Sequence, residues 1–288
     1  MSGSNSWGVR FRPMPRPGSF SCARVHRRST RRRIAGASEP RRERTRTIIL
    51  GQVRDIEDRS KPLLGIAASW HTLRARGTEW RHHARLAEAF ERGSTPPSGA
   101  GIATFTARHS SAVPGPTESA EPWSLWIEKP DLKRAEFMVG SERLAVVFRG
   151  DYWWSWSASR GARTNEGRTN NHHGAGPSEG LLQTTLLSHA LHVEELSRGS
   201  VLGRDVIHLR GSPRTPTTAE DFRLMTRSLL PVGLGADEYL LTVDAGQGVL
   251  LRSEARTNGA PFLVLEMTEI AFDATFDAQT FILEHGDA

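Results

Sequence analysis

Cys22 is the only cysteine in the 288 residues, which excludes an intrachain disulfide and any metal cluster built from cysteines. Long apolar runs are missing as well. No segment reaches the roughly 18 consecutive apolar residues that a membrane-crossing helix requires, and the charged amino terminus lacks the apolar stretch that completes an export signal. The expectation is a chain that is not transmembrane and is cytoplasmic as written, with a cell-envelope role if its true start lies elsewhere than Met1. Lysine is almost absent, 3 residues against 35 arginines, a bias read here as GC-rich coding.

The formal charge of +6 is unevenly spread. Thirteen arginines between Arg10 and Arg46 face only Glu39 and Glu43, so the basic excess belongs to an amino-terminal arm and the remainder is mildly acidic. A specific nucleic-acid partner is therefore not expected of the body. Residues 1–46, with "RPMPRPG" and "RRSTRRR", carry almost no periodic apolar pattern and read as a disordered tail. The domain organisation that follows is a 1–46 tail and a 47–288 domain.

The common signatures of catalysis are missing too. There is no Walker loop, no G-x-S-x-G, no H-E-x-x-H and no G-x-G-x-x-G between a strand and a helix. His82 with His83, His172 with His173, and His189 with His192 lack the third and fourth ligands a metal needs, so they read as polar surface residues. Glu266 and Glu269 fall on opposite faces of an alternating strand, and Asp244 in "VDAGQGV" reads as a hairpin residue bonding its own backbone. No catalytic residue, metal or cofactor is expected, and the protein is not read as an enzyme.

What is present is periodicity. Leu63, Leu64, Ile66, Ala67, Trp70 and Leu73 recur at three- and four-residue steps and predict a helix over about 60–73; Ala84 to Phe90, stopped by Gly93, predict another over 82–92. After residue 101 the period becomes two. Candidate strands are "GIATFTARHS", "WSLWIEKP", "KRAEFMVG", "RLAVVFRG", "DYWWSWSA", "HVEELSR", "RDVIHLRGS", "EYLLTVDA", "GVLLRSEART" and "PFLVLEMTEIAFD". Ten strands strain a flat sheet, so strong curvature follows. Segments 160–180 and 211–237 read as long loops, and 181–191 as a short inserted helix.

Three tryptophans and a tyrosine crowd "RGDYWWSWSAS", residues 149–159. Alternation puts Tyr152, Trp154 and Trp156 on one face and Trp153, Ser155 and Ser157 on the other. Such rings either fill the thickness of a curved sheet or line a cavity for an apolar ligand.

From "WSLWIEKPDLKRAEFMVG" through "SERLAVVFRGDYWWSWSAS", a strand, Pro130, Arg134, a strand, Gly150 and then Trp154 and Trp156 follow one another in a pattern that resembles the LolA-like and RseB-like lipoprotein-carrier superfamily. The closing segment from "DEYLLTVDAGQG" to "DAQTFIL" is similar to that superfamily's last strands, and the resemblance covers about residues 60–284. It implies an α+β fold: a curved antiparallel sheet, an incomplete β-barrel, with one or two helices in its concavity. It further implies a lipid or lipoprotein acyl chain as ligand or, for the RseB-like members, a regulatory protein as partner. Pairs at i and i+2 then nominate a ligand-binding wall of Val146, Phe148, Trp154, Trp156, Leu241, Val243, Leu251, Phe262 and Val264.

Overall fold

The computed structural model describes residue 64 and residues 69–95, 116–165, 176, 178–182 and 184–283, all inside one compact unit, 49–288. The tail, the strand expected at 101–110, and His172 and His173 lie outside the described residues. Eleven strands form one open antiparallel sheet: β1 Thr72–His82, β2 Glu118–Glu128, β3 Leu132–Val139, β4 Glu142–Arg149, β5 Tyr152–Ser157, β6 Gly161–Thr164, β7 Leu191–Val201, β8 Arg204–Pro213, β9 Glu238–Asp244, β10 Leu250–Thr257 and β11 Ala260–Phe272. Their spatial order is β6-β5-β4-β3-β2-β1-β11-β10-β9-β8-β7. Two meanders thus meet at one seam, where the first strand pairs with the last. The architecture is the α+β open sheet expected, with β6 and β7 at its edges.

Four helices are present among the described residues: α1 His83–Ser94, α2 Ser178–Leu182, α3 Thr184–Ala190 and α4 Ala219–Gly233. α1 lies where a helix was expected over 82–92 and α3 where the short one was expected over 181–191, whereas the segment read as a long loop, 211–237, contains the largest of them. Its entry is a capping box: Thr218 Oγ1 accepts from the Asp221 amide at 3.0 Å and Asp221 Oδ2 accepts from the Thr218 amide at 3.0 Å. Phe222, Leu229 and Val232 then face inward. The helix closes on Gly233, at φ +113°, whose carbonyl accepts the Tyr239 hydroxyl at 2.7 Å. Burial of that phenol pushes its pKa far up.

The helix predicted over 60–73 is corrected at its end, where Thr72 and Leu73 begin β1. The one expected over 82–92 is α1, entered from His82, whose Nδ1 accepts from the Arg85 amide at 3.3 Å. Asp244 is the hairpin residue expected: its Oδ1 accepts from Gly246 and Gln247 amides at 2.9 and 2.7 Å, and Arg204 pairs with its other oxygen. Glu266 and Glu269, by contrast, share a face. They pair with Thr78 and Arg76 across a register shift at Arg76/Gly77, and a bulge of this kind cancels one step of alternation.

Cross-strand partners share a face, so register sorts the sheet completely. One row runs Phe272, Leu73, Ile127, Lys133, Phe148, Trp153, and the next runs Ile270, Ala75, Leu125, Ala135, Val146, Ser155. This is the inner face, which the helices cover: a Cβ on Gly233 of α4 would sit 2.4 Å from Ala255 and 3.2 Å from the Phe262 ring. Leu73, Leu125, Val146, Tyr239, Leu241, Val243 and Leu265 are essentially inaccessible there.

At the seam, the Trp123 indole lies across Gly77. A Cβ on Gly77 would fall 2.2 Å from Trp123 and 2.1 Å from the Glu266 carbonyl. We expect Gly77→Ala to cost about 1–3 kcal/mol or more in chemical unfolding, because the indole and the β11 backbone must shift to admit the added Cβ. A loss under about 1 kcal/mol would show that the seam is loosely packed.

Alternation along β5 holds, but the buried side is the one opposite to the aromatic triplet. Trp153, Ser155 and Ser157 are buried at 8%, 3% and 2% exposure, while Tyr152 is 53% exposed and Trp154 and Trp156 are half-buried. Trp153→Ala should therefore destabilise by about 3–5 kcal/mol and Trp154→Ala by markedly less. Equal losses in urea titrations would contradict this division of the strand.

Candidate functional site on the inner face

The nine residues nominated as a ligand wall do not share one surface. Val146 and Phe148 stand on the inner face of β4, and Leu241 and Val243 on the inner face of β9, with Leu209 and Ile207 opposite them on β8. Leu251 and Phe262 sit at irregularities of register beside Leu250 and Ala255 and are fully buried. Trp154 and Trp156 belong to the outer face, in rows with Val147 and Ala145. Val264 also turns outward, opposite Trp80 and Glu254. The pairing of Trp154, Trp156 and Val264 with the other six as one continuous wall is corrected accordingly.

The inner face has two unlike halves. From β9 to β11, Leu241, Val243, Leu251 and Phe262 are at most 1% exposed, and only Ile270 and Phe272 toward the end of β11 stay half-buried. From β2 to β5 the same face holds Ile127, Phe137, Leu144 and Phe148 only half-buried around the fully enclosed Val146. Lys133 Nζ stands 4.5 Å from the Phe148 ring centre, a cation at the margin of an apolar wall. Ile127, Phe137 and Leu144 were legible as inward positions once the register was known, but i, i+2 pairing within single strands did not select them.

Charge also enters the inner face. Glu79, 6% exposed, and Arg81 are one alternation step apart on β1, with Glu121 and Ser119 beside them on β2. Glu79 Oε1 accepts from Arg81 Nε at 2.6 Å, and Arg81 lies 3.8 Å from Glu121. Trp123 Nε1 and Ser119 Oγ, in the same neighbourhood, are buried without a hydrogen-bond partner. No sequence motif marks this cluster, because strands β1 and β2 are 35 residues apart in the chain. Among the described residues, no group of three or more His, Cys, Asp or Glu side chains is disposed to hold a metal. No described helix is long and apolar enough to cross a membrane.

Burial pushes the Glu79 carboxyl above the ordinary 4.5; the Arg81 hydrogen bond and charge pull against this, and the nearby Glu121 adds to the rise. The folded state then holds this proton more tightly than the unfolded chain does. Glu79 accordingly favours folding below about pH 4.5, and that contribution is lost as pH climbs through the raised value. Relative to the native chain, Glu79→Gln should gain urea resistance between pH 4.5 and 7. A difference that stays constant over that range would mean Glu79 is not the titrating group.

No family model matches the sequence, and no curated protein matches it. Solved structures do. The chain is similar to the Pseudomonas aeruginosa MucA/MucB complex, at 12% identity and a TM-score of 0.43, over 80% of this chain and 61% of that one. MucB determined by itself gives 11% identity and 0.43 over 78% and 62%. A LolA superfamily protein from Nitrosomonas europaea gives 8% and 0.28 over 77% and 94%. The chain thus spans less than two thirds of the length of the MucB chains and most of the length of the LolA superfamily protein.

Proposed function

We propose that the protein is a non-enzymatic binder of an apolar ligand, a lipid or lipoprotein acyl chain, held against the inner face of β2 to β5. The observation that carries this reading is the contrast between the halves of that face. On the β9–β11 half Leu241, Val243, Leu251 and Phe262 are fully enclosed, whereas Ile127, Phe137, Leu144 and Phe148 form a half-buried apolar wall on the other. An alkyl chain laid on such a wall gains ~0.8 kcal/mol per methylene removed from water. Lys133, at 4.5 Å from the Phe148 ring, stands where a carboxylate or other acidic headgroup would end. Trp154, Trp156 and Val264, on the outer face, have no part in this wall.

A second reading, an interaction module contacting a regulatory protein, draws on one feature. The edge strand β7 is exposed along nearly its whole length, from His192 to Ser200 apart from the half-buried Val193. A partner strand adds to such an edge by main-chain pairing.

A fluorescent long-chain fatty-acid probe tests the first reading. Saturable binding is expected, with displacement by hexadecanoate and not by hexanoate. Phe148→Asp and Phe137→Ser should each weaken it by roughly fivefold or more, as the loss of even one or two methylene contacts implies, and Trp154→Asp should leave it unchanged. Absence of saturable binding by the folded chain, or loss with Trp154→Asp alone, would remove the acyl-chain reading and leave the edge strand ahead.

A further inference from the structure

The outer face carries a hollow of quite different chemistry. Register sets Arg74, Trp126, Arg134, Val147 and Trp154 in one row across β1 to β5, and Arg76, Ser124, Glu136, Ala145 and Trp156 in the next. Between them opens a cleft of about 430 Å³, lined chiefly by Arg76, Ser124, Trp126, Arg134, Glu136 and Arg143. That volume is within the usual range for small-molecule sites, and three guanidinium groups against one carboxylate leave the lining net positive.

The cleft has a fixed floor and an exposed rim. Arg134 donates to Glu136 Oε1 at 2.8 Å and to the carbonyls of Thr280 and Ile282 at 3.1 and 3.2 Å, and it lies 5.6 Å over the Trp126 ring. Arg143 pairs with the other Glu136 oxygen, so that carboxylate is committed on both sides. At the rim, the Arg76 and Arg143 side chains are 57% and 52% exposed. Arg76 meets Glu269 at 3.5 Å, an equally exposed partner, and a pair so solvated costs little to exchange for another anion. Guanidinium forks match the paired oxygens of carboxylate and phosphate, and the Trp126 indole beside them offers a flat apolar surface.

We propose that this cleft binds a small organic anion, a carboxylate or phosphate carried on a planar body that stacks on Trp126. The inference is independent of the acyl-chain reading, since the two sites lie on opposite faces of the sheet. A polyanion would need an unbroken basic stripe, and Glu136, Glu254 and Glu269 interrupt this one.

Phenyl phosphate, titrated into the full chain at low salt and followed by the indole N–H resonance of Trp126, tests the proposal, with Trp126→Phe assigning the signal. A saturable shift is expected, weaker at higher salt, and absent with benzyl alcohol and benzylamine. Arg76→Ala, at an exposed position, should weaken binding by roughly tenfold or more, the scale of one charged hydrogen bond, without lowering the thermal midpoint. Inorganic phosphate should bind less tightly than phenyl phosphate. No saturable shift, an equal response to benzyl alcohol, equal affinity for inorganic phosphate, or unchanged affinity in both Arg76→Ala and Arg143→Ala would each overturn it. The fatty-acid probe should bind equally well with phenyl phosphate present, so the two sites can fail separately.

Discussion

The pairing of β1 with β11 is the contact on which the rest of the sheet depends. Every other neighbour in the sheet is the next strand in sequence, joined by a tight turn in most cases and by longer segments between β1 and β2 and, through α4, between β8 and β9. Only this seam joins them, from Leu73 opposite Phe272 to Arg81 opposite Leu263. Loop-closure entropy grows only logarithmically with chain length, and a long strand pair bearing apolar residues on its inner side offsets it. The register shift at Arg76/Gly77 and the indole laid over Gly77 fix where the two halves meet. A slip by one residue would turn Leu73 and Ala75 outward and bring Arg74 and Arg76 into the core.

How much of this was legible follows from the physics of each signal. Nine of the ten candidate strands match observed ones, because short period-two apolar runs between turn residues have few other uses. Helix α1 was legible from its apolar spacing and from Gly93. Helix α4 was not, since Pro213 and Pro216 before it and Pro231 within it read as loop chemistry. Its own signals were present: Thr218 three residues before Asp221, then Phe222, Met225, Leu229 and Val232 at helical steps. Proline in the last turn removes a backbone donor but did not end the helix before Gly233, and the capping box supplied the start.

Alternation settles which residues share a face and says nothing about which face is inward. In β5 both sides carry tryptophan, so the choice between Trp153 and Trp154 rests on the rows they join across the sheet: Phe148 and Lys133 beside Trp153, Val147 and Arg134 beside Trp154. Counting rings favours Tyr152, Trp154 and Trp156; the register favours Trp153 with two buried serines. The same limit explains Val264. Its i, i+2 relation to Phe262 is broken by the irregularity between Ala255 and Arg256, and a bulge is invisible to a count of two.

The arginine bias, read from composition as a matter of coding, has a structural use on the outer face. Glu254 lies between Arg252 and Arg256, and Glu136 between Arg134 and Arg143. Burial would raise the Glu254 carboxyl, but hydrogen bonds from Arg256 and Arg252 outweigh it and hold its pKa low. A planar guanidinium can serve a carboxylate and main-chain carbonyls at once, as Arg134 does with Glu136, Thr280 and Ile282; an ammonium is a point charge and lacks that fork. The inner face, where Glu79 has one guanidinium close by and a second carboxylate near, has the opposite balance and the opposite pKa shift. The sheet thus separates two chemistries by its thickness. Apolar burial on one side holds the meanders together, and guanidinium networks on the other order the carboxyl-terminal segment while keeping Arg76 and Arg143 at the rim of a positively charged cleft.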